Sequence, residues 1–275
     1  MVDESTATYE DRYCAFLDIL GFSDMLRTIH DGVPYEQTRY LLQVIHLRTH
    51  WSRPPSDEEI LATDFRAQSI SDAVAISTKA TGRGLLQILD AIEAMSFECL
   101  RFGYFIRGGI SKGPLYHDDQ IVFGDALVQA HYLESQIARY PRVIIPSVLA
   151  TKYDFAEPFE NRLIYSDDGP MFVHMLRRLK HAPLDDFVND YGITPNKPIF
   201  SDYGLIRRKI QDCYHRAIDD PRIFEKVKWF AAYWNKSLPD HVGPIGLVTG
   251  MALGVDPDHI WDGLEPVPFP GLQRD

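Results

Sequence analysis

Hydrophobic and polar positions along this chain switch repeatedly between a period of two and a period near 3.6. Cys14 to Leu20, inside YCAFLDILGFS, is a short apolar run that reads as a buried strand, with Gly21-Phe22-Ser23 as the turn into a helix. From Asp24 to about His50 the spacing is helical, with Leu41, Val44 and Ile45 on one face. Trp51 to Glu59, WSRPPSDEE, is a loop by its prolines and charges. In DFRAQSISDAVAIST, Val74 and Ile76 alternate with Ala73, Ala75 and Ser77, the pattern of a strand with one bulky and one small face. The polar SISD before it reads as a hairpin turn, which puts Asp72 at the start of the second hairpin strand. Leu85, Leu89, Ile92 and Ser96 mark one side of a helix reaching about Arg101.

GYFIRGGISKG, from Gly103 to Gly113, predicts a further strand with Arg107 in its middle and glycines where a backbone or ligand can approach closely. After the polar YHDDQ and the short IVFGD, Leu127, Ala130, Leu133 and Ile137 predict a helix, and RVIIPS another strand. The order β-α-ββ-α-β-α-β predicts an α+β fold, an antiparallel sheet flanked by helices, because the hairpin forces antiparallel neighbours. Further on, Arg162–Ser166 and Met171–His174 read as a hairpin around Asp167-Asp168-Gly169-Pro170. Ser201–Ile218 and Pro221–Trp234 read as helices, the second with Asp220 as N-cap and Pro221 in its first turn. The proline- and glycine-rich stretch from Leu238 predicts an irregular tail. The expected organisation is residues 11–150 as one domain and 151–275 as a mostly helical C-terminal extension.

Composition narrows the function classes. The 275 residues are 45% hydrophobic and carry a net charge of -11, which argues against coating nucleic acid or an anionic membrane. No apolar run is long enough to span a bilayer, and the acidic start lacks the features of a signal peptide. Cys14, Cys99 and Cys213 are widely spaced with no CxxC, which suits free thiols in a reducing, cytoplasmic setting.

The chemistry starts from Asp18. A carboxylate inside an apolar run is costly to bury unless it is paired, hydrogen-bonded or metal-bound. If the first strand neighbours the second hairpin strand, Asp18 and Asp72 lie side by side, and two close carboxylates call for a shared proton or cation. Such a pair with open positions suits Mg²⁺ or Mn²⁺, which keep sites free for phosphates. Arg107, on the same sheet, can reach a polyphosphate or simply pair with a carboxylate. His117 with Asp118 and Asp119 resembles a metal cluster, but its polar context reads as a solvated turn.

FLDILGFS, SDAVAIS, FIRGGISKG and VFGDALVQAHYLES, in this order and spacing, resemble the catalytic domain of class III nucleotidyl cyclases, over roughly Asp11 to Ser147. The resemblance implies the family's ferredoxin-like sheet, with Asp18 and Asp72 as catalytic metal carboxylates, the backbone carbonyl of Ile19 completing the shell of two Mn²⁺ or Mg²⁺ ions, and Arg107 on the triphosphate. It also implies a homodimer with each site built across the interface. Adenylyl and guanylyl cyclases carry a Lys or Glu four residues before the second Asp to read the purine, where this chain has Gln68. They place an Asn and an Arg on the helix after Gly-Asp, where it has Val128 and Tyr132.

This altered pattern, with a long extension containing VKWFAAYWN, is similar to the bacterial pyrimidine cyclases of Pycsar antiphage systems. Those convert UTP, or less often CTP, to the 3′,5′-cyclic nucleotide, which activates a separate effector. The Gln68 amide can pair with uracil or, rearranged, with cytosine. Arg66, two residues away on the same strand, faces the same way and suits base, phosphate or solvent equally. Tyr132 or Lys112 would then stand in for the missing arginine, Tyr132 serving otherwise as an interface aromatic. A purine cyclase and a silent nucleotide-binding dimerisation module are the alternatives.

Overall fold

A computed structural model describes residues 8–22, 26–27, 39, 63–70, 73–153, 159–183, 203–240 and 242–245. Its strands are β1 (Glu10–Leu20), β2 (Arg66–Ile70), β3 (Ala73–Lys79), β4 (Phe105–His117), β5 (Val122–Phe123), β6 (Val143–Ile145), β7 (Leu163–Tyr165) and β8 (Met171–Val173). The main helices are α1 (Gly82–Arg101), α2 (Asp125–Tyr132), the single turn α3 (Ser147–Ala150), α4 (Tyr203–Arg216) and α5 (Pro221–Ser237). The helix expected over 24–50 and the loop expected over 51–59 fall outside the described residues, apart from residues 26, 27 and 39.

The sheet runs β2-β3-β1-β4-β6-β8-β7, with β5 paired to β4. All pairs are antiparallel except β4–β6, where Gly108 lies beside Val143 in parallel register. The sheet is therefore mixed, where the hairpin alone had suggested a wholly antiparallel one. The connection through α2 carries the chain back to the end of the sheet from which β4 started, and that return makes the parallel pair. β7 and β8 follow residue 150 and continue the same sheet, as a hairpin around Asp167–Pro170.

The two faces of the sheet differ as the side-chain alternation of β3 requires. Val74 and Ile76 join Tyr13, Ala15, Leu17 and Ile19 under α1 in the main core. A fully buried side chain of this kind contributes about 1.5–3 kcal/mol. α1 starts where the Thr81 side chain accepts a hydrogen bond from the Gly84 N–H. The C-terminal helices close the same core: Tyr203 of α4 packs on Phe97, Phe230 of α5 on Phe105, and Trp234 is fully buried. Asp220 caps α5 by accepting from the N–H groups of Arg222 and Ile223, with Pro221 in the first turn.

The opposite face carries the small residues of β3. There α2 packs Ala126 and Ala130 onto Cys14 and Leu115. No helix among the described residues is long and apolar enough to cross a membrane.

Candidate active site

Three cross-strand rows on the α2 face bring the sequence-predicted residues together. The first pairs Ile70 with Ala73, Ala73 with Asp18, and Asp18 with Arg107. The second runs Gln68, Ala75, Phe16, Gly109, and the third Arg66, Ser77, Cys14, Ser111. Directly opposed residues share a face, so Asp18, Arg107, Gln68 and Arg66 all leave the sheet on this side. Asp72 lies outside the described residues; Ala73, which follows it in the chain, is the partner of Asp18.

Asp18 and Arg107 are half-buried, with Arg107 Nη2 3.5 Å from Asp18 Oδ2. The same nitrogen also meets Glu134 Oε1, and the Glu134 side chain is 5% exposed. One guanidinium thus stands between two carboxylates, and the cluster keeps a net negative charge that favours a further cation. Glu134 is not among the candidate residues read from the sequence and lies in the segment VFGDALVQAHYLES. It sits in a π turn, Leu133–Ile137, closed by the Ala138 N–H donating to the Leu133 carbonyl at 2.8 Å. Such turns displace the side chains of a helix from their α positions and recur at functional sites. The sequence signal for it was a lone acidic residue between the inward positions Leu133 and Ile137.

The π turn reaches Arg107 because β4 has no side chain in its way. A Cβ on Gly109 would lie 2.4 Å from Leu133 Cβ and 2.5 Å from the Ala130 carbonyl oxygen. Gly109→Ala is therefore expected to lift α2 and the π turn from the sheet and to cost about 1–3 kcal/mol. Urea unfolding measures this, and an unchanged midpoint would mean that the close approach is not made.

Gln68 Nε2 donates to the Gln120 carbonyl at 2.8 Å, and Gln68 Oε1 is buried with no hydrogen bond among the described residues. Arg66, read equally as a solvated charge, is tied down: it donates to the His117 carbonyl at 2.7 Å and to Asp64 Oδ1 at 3.0 Å. Asp64 also accepts from buried Arg12 at 2.6 Å. Burial would raise the Asp64 carboxyl pKa, but the hydrogen bonds from Arg12 and Arg66 outweigh it and hold it below the usual range. Arg12 Nε donates to Ser77 Oγ at 3.1 Å, and Ser77 Oγ lies 2.8 Å from His117 Nδ1. His117 is 2% exposed, and its Nε2 is buried without a hydrogen bond among the described residues. The solvated turn expected at His117–Asp119 is corrected at the histidine, which ends β4 inside this network.

Lys112 lies apart. It is five positions from Arg107 on β4 and so leaves the other face, where its Nζ is 3.4 Å from Asp11 Oδ2. Ile19 has its side chain in the core on the α1 side. Tyr132, at the end of α2, is 51% exposed and shares the outer stripe of the helix with Val128, 63% exposed. Among the described residues no three His, Cys, Asp or Glu side chains converge as a metal cluster.

No family model matches the chain, and no curated protein matches it. Three solved structures illustrate its likenesses. The monomeric guanylyl cyclase domain of a rhodopsin fusion protein from the aquatic fungus Blastocladiella emersonii is 17% identical, over 61% of this chain and 96% of its own, with a TM-score of 0.38. The catalytic core of a rhodopsin-guanylyl cyclase with converted specificity, in complex with ATPαS, is 18% identical over 60% and 96%, with a TM-score of 0.38. An adenylate/guanylate cyclase/hydrolase from Silicibacter pomeroyi is 23% identical over 60% and 95%, with a TM-score of 0.35.

Proposed function

We propose that this chain is a pyrimidine nucleotide cyclase that converts UTP to 3′,5′-cyclic UMP and pyrophosphate, with CTP as the second substrate. In this reading it is a cytoplasmic homodimer whose product acts on a separate effector in antiphage defence. The observation that carries it is the position of Asp18, which shares a sheet face with Arg107 and Gln68 and lies opposite the residue that follows Asp72.

Asp18, the Ile19 carbonyl and Asp72 are hard oxygen donors of the kind Mg²⁺ and Mn²⁺ take. The net negative charge of Asp18, Glu134 and Arg107 fits a cation there as well. Two such ions, when bound, would lower the pKa of the ribose 3′-hydroxyl and neutralise charge on the leaving diphosphate. The bond from the 3′-oxygen to the α-phosphorus forms as the bond from that phosphorus to the diphosphate oxygen breaks, and the hydroxyl proton passes to solvent. With little covalent work for the protein, its contribution is positioning and charge. Arg107 holds the Asp18 carboxylate in a fixed orientation, and Glu134 holds Arg107. Gln68 Oε1 can accept from uracil N3–H or from the cytosine amino group, and its Nε2 would exchange the Gln120 carbonyl for the base. Ile121, Phe123, Val128 and Tyr132, each more than half exposed, give β5 and α2 an apolar outer surface that supports the dimer.

A second reading, a nucleotide-binding module without turnover, is favoured by Val128 and Tyr132, which replace the family's asparagine and arginine with an aliphatic chain and a phenol. One experiment separates the two. Purified protein with Mn²⁺ receives ATP, GTP, CTP and UTP separately, beside an Asp72→Ala variant, and products are identified by mass. Cyclic UMP that vanishes in the variant is the expected result. A cyclic purine would move the reading to a purine cyclase, and binding of a nucleotide with no pyrophosphate released would establish the silent module.

A further inference from the structure

We infer that the first turns of α5 complete a binding site for the β,γ-diphosphate of the nucleotide, and hence for the pyrophosphate that leaves. The identity of that ligand rests on the cyclase reading; the anion site itself rests on geometry. A cleft of about 320 Å³ opens beside Arg107, between the loop that follows the π turn and the start of α5. Arg107, Arg139, Arg222 and Lys226 line it, with Glu225 as the one acidic side chain. In a chain with a net charge of -11, this concentration of cations is a local inversion of the field.

Much of that charge is available to a ligand. Neither Arg222 nor Lys226 has an ion-pair partner among the described residues. Arg139 is 72% exposed and only 3.7 Å from Glu225, a weak surface pair. Arg107 directs Nη2 at Asp18 and Glu134, while its Nε is buried without a hydrogen bond among the described residues. A polyanion in the cleft would therefore meet the far side of the guanidinium that orients Asp18, so one residue joins the cleft to the acidic cluster.

The walls are fixed. Tyr140 stacks on Trp229 of α5 with ring centroids 5.2 Å apart and an interplanar angle of 2°, and its hydroxyl donates to Glu225 at 3.0 Å. Buried Arg142 lies 5.4 Å from the Trp229 ring and pairs with Asp168. α5 thus cannot shift without breaking this stack, which keeps the helix turns that carry Arg222 and Lys226 beside the cleft. Several cations converging on one cleft match a diphosphate better than a single phosphate.

The test uses the full chain and inorganic pyrophosphate, titrated calorimetrically without divalent metal. Wild type is expected to bind, and Arg222→Ala/Lys226→Ala to bind about tenfold more weakly or worse. Arg222→Glu, at an exposed position, should do the same, while Lys228→Ala, exposed and outside the cleft, should change nothing. With UTP the double variant should raise KM more than it lowers kcat. Pyrophosphate affinity equal in wild type and both Arg222 variants, or no binding by wild type, overturns the inference even if cyclic UMP is made. Weakened pyrophosphate binding in a protein that makes no cyclic nucleotide leaves the anion site standing and removes the cyclase reading.

Discussion

Asp18→Asn should abolish nucleotide cyclisation, with kcat down about 10³-fold or more, a loss of about 4 kcal/mol in transition-state stabilisation. Asparagine has the shape of aspartate, so packing on β1 is kept and Arg107 retains Glu134. What disappears is one anionic oxygen at a position where a divalent ion would be held. The variant should also lose Mn²⁺ affinity, read from the free Mn²⁺ signal by electron paramagnetic resonance, while its circular dichroism and urea midpoint stay near those of wild type. Retention of a tenth or more of the activity would reduce Asp18 to a counter-ion for Arg107. Lost Mn²⁺ affinity in a chain that never turned over would instead assign the carboxylate to a silent module.

Acid is expected to destabilise the fold well above the range where ordinary carboxylates titrate. Burial is the main cause that depresses both His117 and His174 from an ordinary pKa of 6.5 to about 4, with Arg12 and Arg66 adding to it at His117 and Arg177 at His174. Between those values the unfolded chain binds protons that the folded chain refuses. The contribution is therefore fully present above about pH 6.5 and drains away as the pH falls towards 4. By pH 5 the loss amounts to about 2 kcal/mol for each histidine. Glu93 works in the opposite sense, since burial raises its carboxyl pKa against the pull of Arg178 and Arg177. Urea midpoints at pH 7.5 and 5 should differ clearly in wild type and by less in His117→Gln. Equal pH dependence in the two proteins would show that His117 is not buried neutral.

The parts of the fold legible in the sequence are those governed by local rules. Alternation at Ala73–Ser77 marked the two faces of β3, and Asp220-Pro221 marked the start of α5, because a strand face and a helix cap are each decided within a few residues. Motif order brought Asp18, Arg107, Gln68 and Arg66 onto one face, with Asp72 outside the described residues. What the sequence hid depends on distant partners. Arg66 and His117 read as solvated because the contacts that tie them down come from afar: the His117 carbonyl accepts from Arg66, and Ser77 meets the His117 ring. Lys112 read as a stand-in for the missing arginine, yet five steps along β4 from Arg107 reverse the face. The parallel β4–β6 pair escaped because the apolar run RVIIPS carries no mark of strand direction.

The central place of β1 has a consequence for the newborn protein. Both of this strand's neighbours, β3 and β4, are encoded after it, from Ala73 and from Phe105. At usual synthesis rates of ~5–20 residues per second it waits roughly three to ten seconds for its first edge to be covered. Throughout that interval Tyr13, Cys14, Ala15, Leu17 and Ile19, all destined for the interior, lack both native sheet partners of their strand. Arg222 and Lys226 emerge later still, long after Asp18, Arg107 and Glu134. Synthesis therefore places the need for chaperoning on the segment that carries β1, ahead of the strands that cover it.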